Sequence, residues 1–92
     1  MKLFAALNGT LTSNAKTCKR VAVLEAIEAD GHAWGCVRKY EDGRLIMDVV
    51  NRSQPLAEKY AEGWNRSARL NSDDWRLHVV RVFPTKEQAI EG

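Results

Sequence analysis

Residues 19–52, KRVAVLEAIEADGHAWGCVRKYEDGRLIMDVVNR, decide the fold. The stretch holds two Asp-Gly pairs, Asp30-Gly31 and Asp42-Gly43, with β-compatible runs before, between and after them. Asp-Gly in that setting is a strong hairpin signal, because the tight turn demands positive φ and glycine adopts it at little steric cost. Three strands in a meander are the expectation. Residues 18–29 admit a second reading, since Val21, Leu24, Ala26 and Ile27 with Glu25 and Glu28 suit a helix capped by Thr17 and stopped by Gly31. The alternating β-branched Val21, Val23 and Ile27 and the Asp-Gly that follows favour a strand. In the next strand His32, Trp34, Cys36, Arg38 and Tyr40 share one face, and Ala33, Gly35, Val37 and Lys39 the other. The small Ala33 and Gly35 point to close approach of another element, taken here as the helix that follows. Residues 45–50 are apolar on both sides, which predicts a central strand.

Outward from this stretch, Lys2 to Leu11 alternates as one strand, with Leu3, Ala5, Leu7 and Leu11 on one side. The polar run Thr10 to Thr17 reads as a loop. Ser53-Gln54-Pro55 starts a helix, since proline in the first turn gives up only an N–H that has no partner there. Leu56, Ala57, Tyr60, Ala61, Trp64 and Ala68 form its apolar stripe, opposite Glu58, Lys59, Glu62, Asn65, Arg66 and Arg69. Asn71 to Asp74 ends it as a polar turn. Trp75 to Phe83 alternates as a further strand, Pro84 stops it, and Thr85 with Gln88 forms a capping box for a short helix to Glu91. The expected fold is a single α+β domain over residues 1–92, an antiparallel meander of four to five strands packed with one amphipathic helix and a short C-terminal helix.

At 92 residues the chain can bury roughly 64% of its unfolded surface, enough for one modest core. Its 45% hydrophobic and 28% charged content is ordinary for a globular protein, so disorder is not the default. Fourteen basic against twelve acidic residues leave a net charge of +2, which excludes both a strongly basic nucleic-acid binder and an acidic imitation of DNA. The opening MKLFAALNGT is too short in its apolar run for a secretory signal, and no stretch reaches membrane-spanning length. A cytoplasmic, monomeric protein is expected, in which Cys18 and Cys36 are reduced thiols and the sequons at Asn8, Asn51 and Asn65 are silent.

No metal, nucleotide or hydrolase motif occurs. Cys18, His32, Cys36 and His78 lack the close spacing of structural zinc ligands, so neither metal nor cofactor is expected. A catalytic pairing of Cys18 or Ser72 with His78 rests on no motif. Glu41-Asp42 and Asp73-Asp74 fall in turns, where Asp bonds the local backbone. The three tryptophans are expected to anchor the core, with Trp34 beside Arg38 and Tyr40 as a contact face if exposed. The most suggestive features are basic clusters: Lys16, Lys19 and Arg20; Arg38 and Lys39; Arg66 and Arg69. They suit contact with nucleic-acid phosphate or an acidic protein groove.

Across its length, from MKLFAALNGTLTSNAK through GHAWGCVRKYEDGRL to VVRVFPTKEQAIEG, the chain resembles the phage-encoded anti-CRISPR proteins that inhibit the type I-F (Csy) surveillance complex. The resemblance implies a non-catalytic inhibitor in the cytoplasm of an infected bacterium. Such a protein docks on the Cas subunits around the guide RNA, contacts that RNA through Lys and Arg, and prevents target DNA from binding or hybridising. The charge clusters supply the candidate contacts Lys16, Lys19, Arg20, Arg38, Lys39, Arg66 and Arg69, with Asn14 as a loop contact. A stand-alone nucleic-acid-binding domain is the alternative. A small enzyme or toxin-like partner protein, marked by a deep pocket at His78 or Cys18, is a third.

Overall fold

The computed structural model describes residues 2–14 and 20–92. Among them lie five strands and three helices: β1 (Leu3–Leu7), β2 (Thr10–Asn14), α1 (Arg20–Asp30), β3 (Ala33–Tyr40), β4 (Leu45–Asn51), α2 (Gln54–Leu70), β5 (Trp75–Val82) and α3 (Lys86–Glu91). This is the small α+β domain expected, with antiparallel sheets, one long amphipathic helix and a short C-terminal one. The strands form two sheets, a β1-β2 hairpin and a three-stranded sheet in the order β4-β3-β5. A bridge joins them where Phe4 and Phe83 exchange backbone hydrogen bonds of 2.8 Å.

Several local expectations change. Residues 20–29 are helical, not a strand: Val23 and Ala26 are buried at i, i+3 with Ile27 packed beside them, while Val21 stands 70% exposed. Gly31 at φ +83° donates to Ile27 O at 2.7 Å, so Asp30-Gly31 ends a helix and does not turn a hairpin. Asn8-Gly9, both at positive φ, turns the first strand back on itself, and Thr10–Asn14 of the polar run after it form β2, the rest of that run lying outside the described residues. Asp42-Gly43 does turn a hairpin, with Tyr40 N–H donating to Arg44 O at 3.0 Å. The central strand is β3, which pairs with β4 on one side and β5 on the other.

The main sheet has a core on each face. On one, Ala33, Val37, Met47, Val50 and Val82 meet Leu3 and Ala5 of β1 and Val23 and Ala26 of α1. On the other, Cys36 and Leu77 meet Ala57 and Ala61 of α2. Gly35 lies on the first face, where a Cβ would stand 2.6 Å from Val82 Cγ2, so the close approach is by β5 and not by α2. A β-bulge sorts β4 between the two: Cys36 pairs with Val49 and Val37 with Met47, leaving Asp48 as the extra residue. The shift of parity sends Met47 and Val50 together to the first core and Val49 to the second.

Candidate functional site

Among the described residues, the sequence-predicted cations Arg20, Arg38, Lys39, Arg66 and Arg69 are spread over separate elements. Arg38 is held internally: its Nε and Nη2 donate to Asp48 Oδ2 at 3.0 and 2.6 Å, and its guanidinium lies 4.2 Å from the Trp75 ring centroid. Lys39 points to the opposite face of β3. Arg66 pairs with Glu62 at 3.2 Å on the exposed side of α2, and Arg69 is exposed near the end of that helix. Arg20 is exposed at the first position of α1. Asn14 lies in β2 and not in a loop, and its Nδ2 donates to Met47 O at 3.0 Å, tying the hairpin to β4. Lys16 and Lys19 lie outside the described residues, as do Thr17 and Cys18.

What the fold brings together lies along one flank of α2. Alanines at 57, 61 and 68 are the buried stripe of this helix, and their small size lets it sit close to the sheet. Ala57 O accepts the Cys36 thiol at 3.2 Å. Larger residues of the expected apolar stripe are therefore pushed to its edge. Leu56, Tyr60 and Trp64, spaced i, i+4 and i+8, line up there, and Trp64 is 48% exposed where a core anchor was expected. The Tyr60 and Trp64 rings stand 6.3 Å apart at 49°. Burial, with the Asp48 charge nearby, holds the Tyr60 phenol above its ordinary range.

Two depressions run along this flank and share Lys59 and Tyr60 as walls. One, of about 310 Å³, lies at the start of α2 between Ala22 and Val23 of α1, Asn51 at the end of β4, Arg52 and Leu56. The other, of about 420 Å³, follows the helix past Gly63, Trp64 and Ser67. Neither Arg52 nor Lys59 takes part in an ion pair among the described residues. The groove thus offers an aromatic pair flanked by two uncompensated cations. Sequence reading placed Leu56, Lys59, Tyr60 and Trp64 on the helix, named Asn51 only as a sequon, and did not single out Arg52. The signal was present in the alternation of alanines with Leu56, Tyr60 and Trp64, because small residues mark the contact line and bulky neighbours its rim.

A third depression, of about 450 Å³, is lined by Lys39, Tyr40, Glu41, Asp73, Asp74, Trp75, Arg76 and His78. It mixes both charges and lies open to solvent. Among the described residues no group of three or more His, Cys, Asp or Glu side chains is placed to hold a metal ion. No helix among them is long and apolar enough to cross a membrane.

Fold and site define a small α+β domain with an aromatic and basic groove on one helix flank. No family model matches the chain, and no curated protein or solved structure matches it.

Proposed function

We propose that this protein acts by binding, docking the α2 groove on a guide-RNA–protein assembly. The type I-F (Csy) surveillance complex is the target, and block of target-DNA binding or hybridisation is the result. One observation carries the reading: exposed Trp64 beside Tyr60, with Lys59 and Arg52 nearby that form no ion pair among the described residues. An exposed aromatic can stack on an unpaired base, worth about 1–3 kcal/mol, while neighbouring cations engage the backbone. The choice of partner comes from the sequence resemblance. A net charge of +2 supports a mixed protein and RNA surface over a long duplex, since two groove cations engage about two phosphates.

The test mixes purified protein with the purified guide-RNA complex and measures target-DNA binding. The proposal expects binding to be abolished at saturating protein, and the block to weaken in Trp64→Ala and in Arg52→Glu/Lys59→Glu with folding unchanged. Unaltered target-DNA binding overturns it. Equal affinity for naked RNA and for the complex would favour the stand-alone nucleic-acid-binding domain instead.

A further inference from the structure

The outer edge of β5 is closed at both ends and open between them. Residues two apart in a strand turn their N–H and C=O to the same side. Leu77 turns both outward, to the Asn65 amide at 2.7 and 3.0 Å, and Phe83 turns both outward, to Phe4 of β1 at 2.8 Å. The pairing of β5 with β3 runs from Trp75 to Val82 without a register shift, so Val79 and Arg81 turn theirs outward too. These backbone groups meet no partner among the described residues. They border a depression of about 280 Å³ that has Ala6 of β1 in its wall.

Sheets ordinarily blunt such an edge with proline, a bulge or inward-pointing charge. The stretch LHVVR, Leu77 to Arg81, has no proline, no bulge and no acidic residue, and its valines favour strand pairing. Antiparallel pairing of two copies of this stretch is self-complementary, each N–H meeting a C=O. It also sets the one formal charge, Arg81, against Leu77 or Val79 of the copy, so like charges do not meet. Asn65 stands in the way, because its amide occupies the place of a neighbouring strand at Leu77 and leaves only Val79 and Arg81 unpaired.

We propose that the β5 edge is a pairing surface for a second copy of this chain and that Asn65 keeps it closed. Removing the amide extends the open edge to Leu77, Val79 and Arg81, enough for about six backbone hydrogen bonds across a two-fold axis. Asn65 lines neither depression on the α2 flank, so self-association and the groove's partner are tested independently.

The test is sedimentation equilibrium of the full-length wild type and of Asn65→Ala, from micromolar to millimolar concentration. Wild type should keep the monomer mass throughout, and the variant should approach twice that mass with a dissociation constant on the order of 0.1 mM. At about ten times that constant, hydrogen exchange at the Val79 and Arg81 amides, fast in wild type, should slow about fivefold in the variant. A variant that stays monomeric, a wild type that is itself dimeric, or a dimer in which Val79 and Arg81 exchange as fast as before overturns the proposal. Should Asn65→Ala not fold, Asn65→Gln decides by the same two readings, since its longer side chain no longer sets the amide against both groups of Leu77 at once.

Discussion

Asn65→Ala should cost this domain about 2–3 kcal/mol, because one side chain does the work of a missing strand. Among the described strands, β5 pairs with β3 alone, along one edge. On the other side the Asn65 amide reaches from α2, donating Nδ2 to Leu77 O at 3.0 Å and accepting the Leu77 N–H on Oδ1 at 2.7 Å. Each bond contributes about 1 kcal/mol net, and truncation also strands a half-buried N–H and C=O, whose desolvation water repays only in part. For a domain with about 5–15 kcal/mol of total stability this is a large share, equivalent to a fall of about 10–20 °C in Tm. Asn65→Asp should lose nearly as much, since it keeps an acceptor for Leu77 N–H but sets an oxygen against Leu77 O. Urea unfolding followed by tryptophan fluorescence reads the change as a lower midpoint at unchanged slope. A loss below about 0.5 kcal/mol would refute the reasoning, because it would mean that water replaces the amide at no cost.

Other expectations follow from the core. Burial pushes the Cys36 thiol up to about 11 from an ordinary 9.0, so the native state keeps a proton that the unfolded chain releases. Its contribution is fully present below pH 9 and is lost as pH rises toward 11, about 2–3 kcal/mol in all, and Cys36→Ala should flatten that slope in urea titrations at several pH values. Asp48→Asn removes the charge that holds Arg38 and should cost about 1–2 kcal/mol, measured the same way with Arg38→Met and the double variant to isolate the pair. Gly35→Ala should destabilise by about 1–3 kcal/mol through its clash with Val82, whereas Gly63→Ala, facing open space, should stabilise by up to about 1 kcal/mol in thermal melts.

The helical and strand patterns that survived folding were those with many repeats. The alanines of the α2 stripe and the alternation of Trp75 to Phe83 stand, with Leu56 and Trp64 exposed at the edge of the stripe, and the local Thr85 cap also forms, Thr85 Oγ1 accepting Gln88 N–H at 3.2 Å. The failures came from signals with two physical meanings. Asp-Gly supplies positive φ to a hairpin turn or to a helix end, and only the packing of Val23, Ala26 and Ile27 decides which at Gly31. Asn8-Gly9 is as strong a turn signal, but its second strand, TLTSN, is polar and shows no apolar face to read. The bulge at Asp48 inverts strand parity, which periodicity alone takes as constant. Arg38 is spent on Asp48 and Trp75, whereas Arg52 and Lys59, seven positions apart, face one cavity across the first turns of α2.

The most direct measurement is target-DNA binding by the type I-F guide-RNA complex in the presence of this protein and of its Trp64→Ala variant. The proposed role requires wild-type protein to abolish DNA binding at saturation and the variant, equally stable in urea, to need a concentration at least about fivefold higher, as loss of one stacked base would dictate. Complex that binds its DNA undisturbed, or a variant that inhibits as well as wild type, would contradict it.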